Sequence, residues 1–346
     1  MNISKVFTTD KIQQVTKQLK AAKNVVVVAH KSPDGDAVGS CLGLYGILKS
    51  NLDSYQFENL NIILPDPAPN FLNWLENFEN IINFTDEEES AGQLIKDADI
   101  IFCLDFNVLH RVGDEMKENL NASKAFKIMI DHHLEPSDEF DVVFSDTTAC
   151  SAAQLVFDFA TKMNWRNQIT PKTGEAFYCG IMTDTGSFRF PSTSAHTHEV
   201  IAALLELGVK NHEVHENVFD TNTVTRLKLR GYAINEKLEI LEDISTAIIS
   251  LSEKELWKYD YKKGDTEGLV NVGLSIIGIN KAIFLKEMDG LVKISFRSKG
   301  IENPVNKFAS NYFEGGGHAN AAGGAFKGSL EEAITKLKKA LYENYA

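Results

Sequence analysis

The sequence predicts an α/β protein, in which a mainly parallel sheet flanked by helices is followed by a smaller α/β lobe with a sheet of its own. Two observations carry this reading. Short apolar runs alternate with helical patterns through the first part of the chain, and strand-like segments return near the C-terminus after a charged stretch. A third observation is chemical: the runs VVVVA, IIFCL and FKIMI stop at His30, at Asp105 and at Asp131-His132-His133. In an open parallel sheet the carboxyl ends of the strands share one edge, so these side chains converge there and suggest a two-metal site.

In chain order, strands are expected at residues 25–29, 61–64, 100–104 and 127–130, with a short one at 142–144 and crossover helices between them. Helical patterns at 151–163, 173–182 and 196–207 close the first lobe. The charged stretch 224–237 reads as a connecting helix, which sets the domain boundaries at 1–222, 223–240 and 241–346. Segments 247–251, 282–286 and 291–296 suggest the second sheet, and Ser329-Leu330-Glu331-Glu332 offers a cap for a final helix. Residues 86–90 form a short acidic loop, expected to be solvated.

The first strand end is the richest in chemistry. His30 is followed by Lys31-Ser32-Pro33-Asp34-Gly35-Asp36, where Pro33 and Gly35 shape a turn and leave Asp34 and Asp36 free to face two different ions. A plainer alternative has Asp34 capping the next helix and Asp36 pairing with a lysine, but His30 adds a nitrogen ligand that a cap does not need. Asp105 would by itself read as a turn residue; its place beside the other strand ends makes it a ligand. Neighbouring side chains diverge, so in the triplet His132 is expected to ligate, Asp131 to hold it as an outer carboxylate, and His133 to face the substrate. Asp184, in Thr183-Asp184-Thr185-Gly186-Ser187-Phe188, would complete the second ion. His196 and His198, two apart on a helix, point in different directions, and His212, His215 and His110 are read as structural or solvated.

Composition bounds the partners. The 346 residues, 43% of them hydrophobic, suffice for two cores. No apolar stretch approaches the roughly 20 residues of a membrane span, and the N-terminus lacks a signal-peptide pattern. Cys41, Cys103, Cys150 and Cys179 lack CxxC spacing, which suits reduced thiols in a cytoplasm. With 35 Lys and Arg against 48 Asp and Glu, the net charge of −13 argues against holding long duplex nucleic acid, so the substrate is expected to be short.

A strand-end His before PDGDA, an Asp closing a later strand, the DHH triplet and TDTGSF together resemble the four motifs of the DHH phosphoesterase superfamily. Phe296-Arg297-Ser298 and the cluster Gly315-Gly316-Gly317-His318-Ala319-Asn320-Ala321-Ala322-Gly323-Gly324 resemble its companion DHHA1 domain. The pairing is most similar to the bacterial nanoRNase/pAp phosphatase branch. The resemblance implies an N-terminal DHH domain and a C-terminal DHHA1 domain with a mixed sheet. It also implies His30, Asp34 and Asp105 around one manganese ion, with Asp36, Asp105, His132 and Asp184 around the other. Mixed oxygen and imidazole ligation suits Mn²⁺ better than Mg²⁺, with Mg²⁺ or Co²⁺ as substitutes. His133 and Arg111 are candidates to meet phosphoryl oxygens. The glycine cluster, through Gly316, Gly317, His318 and Asn320 and with Arg297 and Ser298 nearby, is expected to clamp a substrate anion with main-chain N–H groups.

Catalysis is then expected in a cleft between the lobes, where very short RNA oligonucleotides are hydrolysed to mononucleotides, with dephosphorylation of 3′-phosphoadenosine 5′-phosphate as a second activity implied by the branch. The alternatives are a linear or cyclic dinucleotide phosphodiesterase, a pyrophosphatase or exopolyphosphatase and, from another class, a nucleotide-sensing binding protein. Oligomeric state is left open, a homodimer being one option.

Overall fold

The computed structural model describes residues 3–300 and 302–345; the side chains of Asp53 and His318 lie outside the description. The chain divides into two compact units, one running to Thr221 and the other starting at Asn222.

The first unit is built on six strands: β1 (Asn24–Val28), β2 (Asn59–Leu64), β3 (Ile81–Asn83), β4 (Ile100–Leu104), β5 (Phe126–Asp131) and β6 (Val142–Ser145). They pair in the order β3-β2-β1-β4-β5-β6, every neighbour parallel. Continuous apolar runs make such strands because both faces are covered. Val25 and Val27 enter one core with Phe102, Ile128 and Ile130, while Val26 and Val28 enter the other with Ile101, Cys103 and Met129. The strand order reverses between β1 and β4, the kind of position where open α/β sheets bind ligands. β3 was not legible beforehand, since only two of its three residues are apolar.

The helix Gly35–Ser50 leaves the β1 loop and packs antiparallel on the helix Pro171–Asp184. Glycines allow backbone contact between the two. A β-carbon at Gly39 would stand 2.5 Å from Ala176 O, and one at Gly35 would stand 2.3 Å from Thr183 Oγ1. This closeness brings the N-terminal end of one helix, with Asp34 and Asp36, to the C-terminal end of the other, with Asp184.

In the second unit, β7 (Leu238–Leu241), β8 (Thr246–Leu251), β9 (Lys281–Met288), β10 (Leu291–Ser298), β11 (Gly316–His318) and β12 (Ala321–Lys327) pair in the order β11-β12-β10-β9-β8-β7. Only β8 and β9 run parallel, so the sheet is mixed. The expected linker is part of this unit: helix Val224–Glu236 buries Leu229 and Ala233 against Ala247, Ile249 and Ala282. The glycine cluster also differs from the expected loop. It forms the hairpin β11–β12, pairing Gly316 with Gly323 and Gly317 with Ala322. A β-carbon on Gly317, at φ +140°, would lie 2.5 Å from Ala321 O, and one on Gly324 would lie 2.9 Å from Phe313 Cβ. These glycines therefore serve close packing, whereas Gly316 has nothing within 4 Å of an added carbon.

Gly39→Ala is expected to destabilise the protein by about 1–3 kcal/mol in urea unfolding, because the obstructing atom is backbone. Gly231→Ala, where an added carbon meets nothing within 4 Å, should be neutral or stabilising by up to ~1 kcal/mol.

Candidate metal centre

Each candidate ligand is held by the local fold. Asp34 does cap the helix Gly35–Ser50: its Oδ1 accepts from Asp36 N–H at 3.0 Å and Ala37 N–H at 3.1 Å. The same oxygen stands 3.9 Å from His30 Nε2, so capping and facing the cluster are compatible. Asp36 meets no lysine; its carboxylate accepts from Ala152 N–H at 2.6 Å and Ala153 N–H at 2.8 Å, in the first turn of helix Ala152–Lys162. That helix end supplies positive partial charge to a buried carboxylate. His30 is oriented through Nδ1, which donates to Lys31 O at 2.9 Å and turns Nε2 inward.

Asp105 lies at the centre. It is 2% exposed and left-handed at φ +62°, with its N–H donating to Ile130 O at 3.2 Å. Its Oδ2 stands 3.3 Å from His30 Nε2, and its Oδ1 stands 3.4 Å from His132 Nε2. His132 Nε2 also lies 3.6 Å from Asp184 Oδ2 and 3.8 Å from Asp36 Oδ2. Three overlapping groups result, His30–Asp34–Asp105, Asp36–His132–Asp184 and Asp105–His132–His133, with Oδ2 of Asp105 turned toward His30 and Oδ1 toward His132 and His133.

These spacings fit divalent cations. Donors each about 2.1 Å from a common ion stand roughly 3–3.5 Å apart, near the separations around Asp105. Asp105 Oδ1 is buried without a hydrogen-bond partner among the described residues, which a cation would correct. The charges agree. Burial opposes charge on both imidazoles, but the Asp105 carboxylate overrides it and lifts His30 to about 9 and His132 to about 10. Burial would raise Asp105, yet His132 and His30 pull it well below the usual carboxylate range. Burial, followed by the neighbouring Asp105 and Asp184 carboxylates, pushes Asp36 well above that range, and burial carries Asp184 to about 7 against the pull of His132. Without a cation the cluster holds protons where positive charge is wanted.

One assignment changes. Asp131 holds His133 rather than the expected His132: Oδ1 pairs with His133 Nδ1 at 2.7 Å and Oδ2 accepts from its N–H at 3.0 Å. At the end of an extended strand, side chains two apart share a face and adjacent ones do not. Arg111 contributes through its main chain, its carbonyl accepting from Lys31 N–H at 2.7 Å. In the second unit, Asn320 Nδ2 donates to Ser298 Oγ at 2.8 Å, and the half-buried Arg297 donates through Nη1 to Phe296 O at 2.9 Å. Gly316 and Gly317 lie in β11, and the His318 side chain is outside the described residues. His196 is engaged elsewhere, with Nε2 2.9 Å from both oxygens of the buried Asp158, and His215 Nε2 meets Tyr178 OH at 3.3 Å.

Two holding residues escaped the sequence reading. Asp66 Oδ2 accepts from Ser32 N–H at 2.8 Å and anchors the turn between His30 and Asp34. Thr185 Oγ1 donates to Ile181 O at 2.6 Å and accepts from Phe188 N–H at 3.0 Å, fixing the left-handed residues Gly186, Ser187 and Phe188 just after Asp184. An acidic residue just beyond β2 and a threonine inside TDTGSF were the available signals.

A parallel sheet with paired carboxylate and imidazole groups at its strand ends is the arrangement of a DHH phosphoesterase, and the chain belongs to that family. The DHH family N-terminal domain matches residues 24–181, and the DHHA1 domain matches residues 245–345. Among solved structures, an exopolyphosphatase-related protein from Bacteroides fragilis is 40% identical with a TM-score of 0.93, covering 99% of this chain and 98% of that one. The bifunctional oligoribonuclease and PAP phosphatase NrnA of Bacillus subtilis is 28% identical over 303 residues, 86% of this chain and 88% of the relative. The Thermus thermophilus protein of the same name is 28% identical over 339 residues, 96% and 94% of the two chains.

Metal-dependent stability should follow pH. The raised imidazoles stabilise the metal-free protein fully below about 6.5, and that contribution is lost as pH rises through about 9 to 10. Asp184 works in the same direction, since its suppressed ionisation costs stability as pH rises toward about 7. A cation must displace these protons, so the gain in Tm on adding Mn²⁺ to stripped protein should be larger at pH 8.0 than at pH 6.5. Stabilisation reaches about 2.7 kcal/mol at roughly 100 times Kd, so differential scanning calorimetry at one fixed cation concentration and the two pH values checks the order.

Proposed function

We propose that this phosphoesterase is a Mn²⁺-dependent hydrolase of very short RNA oligonucleotides, releasing mononucleotides, and that it also dephosphorylates 3′-phosphoadenosine 5′-phosphate. The observation that carries the reading is the division of Asp105 between two His-and-Asp groups, 3.3 Å from His30 on one side and 3.4 Å from His132 on the other. The 28% identity to proteins named oligoribonuclease and PAP phosphatase, over most of both chains, supports the substrate class.

A pair of divalent ions bound in this cluster would supply an activated water and neutralise charge at phosphorus. The chain does the rest. His30, Asp34 and Asp105 would hold one ion and Asp36, Asp105, His132 and Asp184 the other, and the first turn of helix Ala152–Lys162 aims the Asp36 carboxylate. Asp131 fixes the His133 ring through Nδ1, and we assign His133 Nε2 to a phosphoryl oxygen of the substrate, with Arg111 as a second donor.

Substrate holding is assigned to Arg297, Ser298, Gly316, Gly317, His318 and Asn320. The acidic excess lies in the first unit, with 17 Lys and Arg against 32 Asp and Glu up to Thr221; from Asn222 onward there are 18 against 16. A balanced second unit suits an anion held by a few donors rather than a broad basic field, and so a short substrate. No helix among the described residues is long and apolar enough to cross a membrane. The four buried free cysteines favour a reducing, cytoplasmic setting.

A second reading, hydrolysis of polyphosphate or pyrophosphate, is favoured by the name of the 40% identical relative. Turnover of two- to five-nucleotide RNAs, 3′-phosphoadenosine 5′-phosphate, a cyclic dinucleotide, pyrophosphate and polyphosphate in Mn²⁺ separates the readings. Short RNA and the bisphosphate should dominate, and consumption of the inorganic substrates alone would overturn the proposal. Asp105→Asn should lower kcat/KM by at least about 100-fold on whichever substrate is turned over; an unchanged value would remove Asp105 from the reaction, and no turnover of any substrate by the wild type would return the protein to the class of nucleotide sensors.

A further inference from the structure

Sheet pairing between β4 and β5 ends at Leu104 and Ile130, one residue before Asp105 and two before His132. Yet Asp105 Oδ1 must stand 3.4 Å from His132 Nε2 and 3.8 Å from His133 Nδ1. One further bond, Asp105 N–H to Ile130 O at 3.2 Å, ties the strand ends; beyond it the two loops need a tie of their own.

Asn107 makes the connection. Its Nδ2 donates to Leu134 O at 2.6 Å and to Glu135 O at 3.3 Å, and its own carbonyl accepts from Ser137 N–H at 2.9 Å. Glu139 Oε2 adds two stitches, accepting from Leu109 N–H at 3.2 Å and from Ser137 Oγ at 2.7 Å. Two carbonyl oxygens converge on the Asn107 amide, so its nitrogen has to face them. Oδ1 is thereby turned away, buried and without a hydrogen-bond partner among the described residues. An acceptor stranded in this way is destabilising. A residue serving only its own turn would avoid that cost; one that clamps a neighbouring loop accepts it.

We infer that Asn107 is a positioning residue for the DHH triplet. By clamping the loop that follows His133 to the loop that follows Asp105, it sets the distance between the shared carboxylate and the two imidazoles. The inference rests on reading the cluster as a metal centre. If the clamp is removed, the His132 ring drifts from the oxygen with which it would share an ion, and cation affinity falls before the fold does. Loss of such an orienting contact typically weakens metal affinity or activity by about 10–100-fold.

The test uses the full chain, stripped of metal, as wild type, Asn107→Ala and Asn107→Asp; the aspartate keeps the side-chain shape and removes both N–H donors. Mn²⁺ binding is followed by titration calorimetry, diribonucleotide hydrolysis across a Mn²⁺ series, and metal-free Tm by calorimetry. Both variants should need about 10–100-fold more Mn²⁺ for half-saturation in both assays. Their kcat at saturating Mn²⁺ should recover to within about threefold of wild type, and metal-free Tm should stay within ~3 °C. The inference is overturned if Asn107→Ala binds Mn²⁺ within about twofold of wild type, or if Asn107→Asp restores wild-type affinity. It is also overturned if metal-free Tm collapses with no change in Mn²⁺ affinity. Wild-type protein that binds Mn²⁺ but leaves the diribonucleotide intact would refute the substrate assignment alone, the calorimetric comparison still deciding the role of Asn107. Wild-type protein that does not bind Mn²⁺ would remove both readings.

Discussion

One buried carboxylate organises the first unit. Asp105 ends β4, which lies between β1 and β5, so strand order alone puts it between the His30 loop and the DHH triplet. Its two oxygens face opposite ways, toward His30 and toward His132. An anion that is 2% exposed needs compensating charge, and the chain offers only imidazoles that must themselves be protonated to provide it. The left-handed backbone at φ +62° is a local strain that sheet pairing on one side and the Asn107 clamp on the other must hold in place.

The remaining candidate ligands depend on the contact between two helices. Asp34 and Asp36 open the helix Gly35–Ser50 and Asp184 closes the helix Pro171–Asp184, so their distance from Asp105 is set by how closely the two pack. Gly35, Gly39 and Gly43, spaced by four along one helix face, remove the side chains that would hold them apart. Gly180 does the same from the other helix: a β-carbon there would stand 2.7 Å from Ala153 Cβ and 3.1 Å from Asp36 Oδ1. The glycines are therefore part of the machinery that aims the carboxylates.

Much of this was legible in the sequence because strand ends in a parallel sheet fall on one edge whatever the details of packing. Four apolar runs sufficed to locate β1, β2, β4 and β5, and the PDGDA turn, Asp105 and the triplet followed from that edge; Asp184, at a helix end, came from its own motif, TDTGSF. The features that escaped depend on contacts distant in sequence or on residues with weak signals of their own. The carboxylate of Asp131 chooses His133 through the period-two geometry of the strand end. The glycine cluster reads as a loop because glycine is depleted in strands, whereas in the hairpin β11–β12 the absent β-carbons are what let the backbones approach. The charged helix Val224–Glu236 reads as a linker until Leu229 and Ala233 are found in a core.

The two halves of the cluster differ in their access to water. Asp34 has a side chain 61% exposed, whereas that of Asp36 is 1% exposed and clasped by two helix N–H groups. Solvent therefore reaches the two carboxylates unequally: water bathes Asp34 at an open rim, while Asp36 stays dry behind the helix end, its half of the cluster meeting the surface through Asp184.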